Sequence, residues 1–262
     1  QMGSIGGAPT GFSINNAPFH HLTINDSINF AWADKTLFNV EGDLIVAAGQ
    51  TLGANNTNGG IKVLGNVTLN GQLGNSNLTN DCEFGGLQIN SGGTYFATSG
   101  TTTITDKISS GTYTNYMFQN AGTFTHNKGT VHWKADTSSG TWYAMNGSTS
   151  ATQTEFYNIS TERVRASGTE QYRFWTGGSA RHLTVLNNID IGANTRIFSS
   201  NGSGNFRHNG ICDISGILNI VNVTTVNMGA VTIESVGELE FGDGNSVNVE
   251  GIRNVGGTVT VT

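Results

Sequence analysis

The sequence consists of very short stretches of alternating apolar and polar residues, separated by turn-forming residues. Examples are Leu22-Thr-Ile24, Val67-Thr-Leu69 and Leu87-Gln-Ile89. Because successive side chains of a strand point to opposite faces, each stretch predicts a strand with one buried face. Glycine and asparagine, which are common in tight turns, separate the stretches. The pattern predicts many short strands joined by tight turns.

The composition supports an all-β chain. Charged residues make up 11% of the sequence and 37 residues are glycine. Residues that favour helices are scarce, whereas threonine, valine, isoleucine and aromatic residues, which suit strands, are plentiful. An aromatic content of 9% argues against disorder. A formal net charge of −6 excludes a general nucleic-acid binder, because phosphate neutralisation needs an excess of basic residues.

The shortness of the strands favours a solenoid over a sandwich, whose strands usually have about five to six residues. We therefore predict a right-handed parallel β-helix of about ten irregular coils, each of about 20 to 25 residues. Both prolines, Pro9 and Pro18, precede residue 20, so none interrupts the later strands. The predicted boundaries are an N-terminal arm at 1–18 and a β-solenoid at 19–262. A β-sandwich remains the alternative.

Several segments resemble the repeat units of known β-solenoid surface proteins. They are FHHLTI at 19–24, EFYNIS at 155–160, GTFTHNKGTV at 122–131 and FNVEGDLIVAAGQTL at 38–52. They look like repeats of filamentous-haemagglutinin-like bacterial adhesins and of structural proteins of tailed phages. The resemblance implies an extracellular or virion-surface solenoid, which in phage proteins is commonly trimeric. It transfers no catalytic residue to this chain.

Histidines recur in similar local contexts. His21 and His182 each precede Leu-Thr, and His126 and His208 occupy the same place in GTFTHNKGTVHW and GNFRHNGICDI. A metal site needs histidines that converge with defined partners, whereas recurrence at equivalent coil positions predicts a structural role. We expect no metal and no cofactor. Cys82 and Cys212 lack metal-ligand spacing and are expected to be buried free thiols, with a long-range disulfide as the alternative.

The sequence indicates a protein without enzymatic activity. It contains no GxSxG, HExxH or P-loop motif. Glycoside cleavage requires two carboxylates that face each other, and acidic residues are sparse in the aromatic-rich middle of the chain. No run of about 18 apolar residues predicts a membrane span.

The candidate contact surface comes from aromatic and arginine residues. Twelve of the 23 aromatic residues lie between 113 and 175, and six of the seven arginines between 163 and 207. In the adjacent pairs Trp142-Tyr143 and Phe174-Trp175, one member of each pair should leave the core. The candidate interface or glycan contacts are Trp142, Tyr143, Phe174, Trp175, Arg163, Arg165 and Arg173.

These features predict a non-enzymatic structural protein of a phage virion or a cell surface, acting by assembly and host attachment. The expected partners are copies of the same chain, with a trimer favoured, other virion or surface proteins, and a host glycan. Acidic residues crowd the last coils, and these could pair with the arginine band between chains or remain solvated. The alternatives are a glycan-binding adhesin module and a tailspike polysaccharide depolymerase.

Overall fold

The chain folds as an all-β solenoid of parallel strands with about nine turns. The computed structural model describes residues 19–30, 37–54, 60–109, 111, 114–137, 142–146, 154–174, 182–199 and 204–262. No helix occurs in these residues. The predicted parallel solenoid is confirmed, with about nine turns against the expected ten, and the sandwich alternative is wrong. The predicted arm at 1–18 lies outside the described residues.

Two compact units make up the chain, residues 1–130 and 131–262. In the first unit, each turn contributes one strand to each of three parallel sheets, ordered β1-β4-β7-β10-β13, β2-β5-β8-β11-β14 and β3-β6-β9-β12. The strands of this unit are β1 (Leu22–Ile24), β2 (Ile28–Phe30), β3 (Leu37–Val40), β4 (Leu44–Val46), β5 (Thr51–Ala54), β6 (Gly60–Val63), β7 (Val67–Leu69), β8 (Gln72–Leu73), β9 (Cys82–Phe84), β10 (Leu87–Ile89), β11 (Thr94–Phe96), β12 (Thr101–Ile104), β13 (Tyr116–Asn120) and β14 (Thr123–Thr125).

Apolar side chains of the first unit stack in columns because the register is strictly parallel. Leu22 pairs with Leu44 of the next turn, and Leu44 pairs with Val67 of the turn after that. All three side chains are buried. Each turn therefore buries only a narrow inward stripe, which explains why such short strands suffice.

Glycines mark one corner of this unit. Gly71, Gly93 and Gly122 each directly precede the second strand of a turn. A Cβ atom at Gly93 would collide with the carbonyl oxygen of Leu69 in the preceding turn. None of the three has a positive φ. Glycine is required here because stacked backbones approach each other closely, and not because the backbone is left-handed.

The second unit repeats the three-strand turn as far as residue 214, after which the nine-residue strands Thr225–Ile233 and Ser246–Asn254 each take the place of two shorter strands. One sheet has the order β16-β19-β22-β25-β27-β29, and another runs β17-β20-β23-β26-β24-β21-β18-β15, with β28 also pairing to β26. The strands are β15 (Thr130–Trp133), β16 (Tyr143–Asn146), β17 (Glu155–Phe156), β18 (Asn158–Thr161), β19 (Glu170–Phe174), β20 (Leu183–Val185), β21 (Ile189–Ile191), β22 (Thr195–Ser199), β23 (Asn205–His208), β24 (Ile211–Ile214), β25 (Ile217–Ile220), β26 (Thr225–Ile233), β27 (Glu238–Phe241), β28 (Ser246–Asn254) and β29 (Thr258–Val261).

The core of the second unit is a similar stack of columns. Tyr172, Ile197, Leu218 and Leu239 are buried and pair in sequence. The next member of the column, Val259, pairs with Leu239 but is 42% exposed. Three further apolar residues of the last turn are exposed over buried partners, namely Val247, Ile252 and Val261.

Both cysteines lie in the core. Cys82 and Cys212 are free and buried, which confirms the predicted free thiols and excludes the disulfide in this structure. Burial raises the pKa of the Cys82 thiol to about 12 and also raises the pKa of Cys212. Both thiols are therefore protonated and chemically shielded at neutral pH.

The repeated Leu-Thr segments do not occupy equivalent positions. His21 precedes β1, in the sheet of first strands, whereas His182 precedes β20, in a different sheet of the second unit. The prediction of equivalent coil positions is therefore wrong for this pair. The structural role nevertheless holds, because the Nδ1 atom of each ring accepts a hydrogen bond from a backbone N–H one turn later, from Asp43 and Asn205 respectively.

The pair of longer repeats occupies the same place within a turn, although in different sheets. β14 and β23 are each the second strand of a three-strand turn, with His126 following β14 and His208 ending β23. Their surroundings differ, since His126 is half-buried and its Nδ1 accepts a hydrogen bond from the Lys128 N–H, whereas His208 is buried in the core. The repeat therefore fixes the backbone position but not the side-chain environment.

Candidate functional site

A column of large polar and aromatic residues runs along the outward face of the sheet that contains β19, β22, β25 and β27. Arg173 pairs with Phe198, Phe198 with Asn219, and Asn219 with Glu240. These residues alternate with the buried column that starts at Tyr172, so the strand pattern that points that column inward points this set outward. Tyr143 pairs with Arg173 and extends the column into β16.

A surface groove of about 540 Å³ opens along this column. We call it the Arg173 groove. Its size lies within the usual range for small-molecule and sugar sites. The lining residues are Arg173, Arg196, Phe198, Ser199, Asn219, Val221, Asn222, Glu240 and Thr262.

Aromatic rings hold the Arg173 guanidinium on two sides. Its Cζ atom lies 4.8 Å from the centre of the Phe198 ring and 5.2 Å from that of Tyr143. A cation over an aromatic face is stabilised by the ring quadrupole. The two rings therefore stabilise the guanidinium at this position in the groove.

The other charges of the groove neutralise one another. Arg196 Nη2 lies 3.4 Å from Glu240 Oε2, and the Asn219 side-chain amide donates a hydrogen bond to the same oxygen. Arg196 also lies over the Phe198 ring at 5.4 Å. This ion pair forms within one chain, so these two members of the predicted arginine and acidic bands do not depend on a second chain for pairing.

The structure brings together two of the seven predicted contact residues, Tyr143 and Arg173. Two others are corrected, because Phe174 is fully buried against Trp133, with ring centres 5.2 Å apart, and Trp142 is only 6% exposed. Neither side chain is available at the surface. Tyr143 is half-buried while its neighbour Trp142 points inward, as alternation predicted. Trp175 lies outside the described residues.

The remaining two arginines lie away from the groove. Arg163 is half-buried in the segment after β18. Arg165 is bound internally, because its Nε–H and backbone N–H donate to Glu170 Oε1 at 2.9 and 3.1 Å. Glu170 is fully buried, and its other oxygen accepts bonds from the Thr137 N–H and hydroxyl at 2.8 and 2.7 Å. Arg165 therefore stabilises a buried network rather than a contact surface.

Four central residues of the groove were not among the predicted contacts: Arg196, Phe198, Asn219 and Glu240. The signal that identifies them is the strand register, which places Phe198 beside Arg173 and Asn219 beside Phe198. The turn from Arg173 to Phe198 is longer than the turn from Phe198 to Asn219. Irregular coil lengths of this kind hide the alignment in the sequence.

A second polar cluster joins a serine, a histidine and a carboxylate. His132 Nδ1 lies 2.8 Å from the Ser160 hydroxyl, and His132 Nε2 lies 3.2 Å from Glu162 Oε2. A hydrogen bond and ion pair from Lys134 hold the pKa of Glu162 below its ordinary value. Acyl transfer also requires free N–H donors for the oxyanion, but Ser160 lies in β18, which has strand neighbours on both edges. The cluster is therefore best explained as a polar ladder.

The described residues contain no group of three or more histidine, cysteine or acidic side chains able to hold a metal ion. Over the same residues, no helix is long and apolar enough to cross a membrane. Comparisons with protein-family models, with curated proteins and with solved structures gave no match. Functional inference therefore depends on the geometry of the chain itself.

Proposed function

We propose that this chain is a non-enzymatic structural protein of a phage virion or a cell surface, whose solenoid presents an attachment surface for a host glycan. The observation that supports this proposal most directly is the Arg173 groove on the outer face of a stack of parallel strands. An aromatic ring, a guanidinium and side-chain amides are the groups that suit a sugar, which has apolar C–H faces and a rim of hydroxyls. The resemblance to adhesin and phage repeats supports the same location, extracellular or on the virion.

The composition of the groove favours binding over cleavage. Glycoside hydrolysis uses two carboxylates that flank the scissile bond. Among the described residues that line the groove, only Glu240 has a carboxylate side chain, and Arg196 and Asn219 already bind it. These contacts favour an attachment module over a polysaccharide depolymerase.

Assembly into a homo-oligomer is the second part of the proposal, with a trimer favoured. Its support is the resemblance to repeats of phage solenoid proteins, which are commonly trimeric, together with exposed apolar side chains such as Val236 and Ile211. Apolar side chains at the surface are often covered by a partner chain in assemblies, and a second copy of the same chain is the partner proposed.

Light scattering at low and at high salt tests the assembly. We expect a mass of about three chains of 27.6 kDa that persists at high salt, because apolar contacts are not screened. A stable monomer at both salt concentrations would contradict the assembly, while leaving the groove available for a glycan.

A further inference from the structure

Arg173 differs from the other arginines in and near the groove in having no acceptor. Arg196 has Glu240 within 3.4 Å, and Arg165 has Glu170 within 2.9 Å. Arg173 makes contacts with the Tyr143 and Phe198 rings, but among the described residues no carboxylate or carbonyl accepts from it, and its Nε atom is buried without a hydrogen-bond partner. The groove therefore contains a half-buried cation whose charge the described part of the chain does not neutralise.

This arrangement favours an anionic partner. A half-buried charge without a counter-ion is unfavourable, and aromatic faces orient a guanidinium without neutralising it. Guanidinium groups bind carboxylates through two parallel N–H···O bonds, which the planar fork of the group provides. Glu240 cannot serve, because it is bound to Arg196 and Asn219.

We propose that the Arg173 groove binds an acidic glycan, a saccharide that carries a carboxylate. Arg173 binds the carboxylate, the Phe198 ring positions Arg173 and forms an apolar wall beside it, and the exposed Asn222 side chain contacts hydroxyls at the end of the groove. This assignment rests on the proposed attachment function and specifies its ligand class. Although the chain has a net charge of −6, the side chains that line the groove carry one uncompensated positive charge, because Arg196 offsets Glu240 and Arg173 remains.

Isothermal titration of the whole chain tests the assignment with three acidic probes: trigalacturonate, a glucuronate-containing disaccharide and sialyllactose. Each is compared with its own methyl ester, which has the same shape and no charge. We expect at least one acid to bind about tenfold more tightly than its ester. Arg173→Gln is expected to abolish this preference, and Arg173→Lys, which keeps the charge but lacks the planar fork, to reduce it.

Arg207→Gln is the matched control, because it removes the same charge from an exposed arginine that does not line the groove. It should bind as wild type does, and circular dichroism establishes that each variant is folded. If wild type binds acid and ester equally and Phe198→Leu binds neither, the groove binds glycans without requiring a carboxylate. That result would overturn the acidic-glycan assignment and leave glycan attachment intact. An acid preference that survives Arg173→Gln would also overturn the assignment. Absence of binding by wild type to all six probes would overturn both this inference and the attachment function.

Discussion

The guanidinium carbon of Arg173 lies 4.8 Å from the ring centre of Phe198, its partner in the next turn of the solenoid. The contact joins residues that are distant in the sequence, and it exists only because parallel strands stack in register. In a solenoid, outward side chains of successive turns form columns, and a groove results where such a column combines rings, cations and amides.

Glu170 is the buried charge whose removal should destabilise the second unit most clearly. In Glu170→Gln, an NH2 group replaces one of the two carboxylate oxygens. The donors of either Thr137 or Arg165 then lose their acceptor. We expect a loss of about 1–3 kcal/mol in the free energy of unfolding, measured by urea denaturation. Glu162→Gln is the control, because Glu162 is 48% exposed and exposed ion pairs contribute about 0–1 kcal/mol. Equal effects of the two substitutions would contradict the proposed role of the Glu170 network.

Acid should weaken this network. Burial acts to raise the pKa of Glu170, but hydrogen bonds from Thr137 and Arg165 outweigh it and hold the pKa below its ordinary value of 4.5. The unfolded chain therefore takes up the proton first, so this stabilisation is complete above pH 4.5 and is lost as pH falls through the folded-state pKa. Denaturation midpoints from pH 6 to pH 3 should fall more steeply for wild type than for Glu170→Gln. Parallel pH profiles would contradict this explanation.

His208 should destabilise the fold in mild acid. It is buried next to its strand partner Val185, and neither ring nitrogen has a hydrogen-bond partner. Burial lowers the pKa of His208 below 6.5, although nearby backbone groups partly offset this effect. The unfolded chain binds the proton first, so stability is full above pH 6.5 and declines as pH falls from there towards the folded-state pKa.

His208→Met tests this directly, since methionine fills a similar volume without a polar group. We expect the variant to be more stable than wild type by about 1–3 kcal/mol at neutral pH, with a larger difference at pH 5.5, measured by urea denaturation at both values. A variant less stable than wild type at pH 5.5 would indicate that His208 makes a favourable interaction in the core.

The cluster of Ser160, His132 and Glu162 should show no hydrolase reactivity. Strand pairing on both edges of β18 engages the backbone N–H groups that an oxyanion would need. A fluorophosphonate probe should therefore leave the intact chain unlabelled, as judged by mass spectrometry, while a serine protease in the same reaction is labelled. Labelling that disappears in Ser160→Ala would contradict the non-enzymatic proposal.

The fold was predictable from the sequence because strand length and alternation are local properties. Stretches such as Leu22-Thr-Ile24 became short strands with buried ends and an exposed centre. The groove was less predictable, because the alignment of Arg173 with Phe198 depends on the length of the turn between them. The turn from Leu87 to its partner Phe118 is longer than the turn from Arg173 to Phe198. Turns of variable length remove the fixed period that would reveal outward columns.

The burial of adjacent aromatic residues was also only partly predictable from the sequence. Alternation predicted that one member of each pair leaves the core, but it did not identify which one: Trp142 is buried and Tyr143 is half-buried. Phe174 is buried because it packs against Trp133, which lies far earlier in the sequence. Such long-range packing decides burial, and no local pattern contains it.

The most direct test of attachment without cleavage is a glycan array of neutral and acidic polysaccharides, probed with wild type and with the double variant Arg173→Gln, Phe198→Leu. The bound glycans are then released from the array, and their lengths are measured by mass spectrometry. We predict that wild type retains a subset of glycans at their original length and that the double variant retains none. Equal retention by both proteins, or shortened glycans after exposure to wild type, would contradict the proposed function.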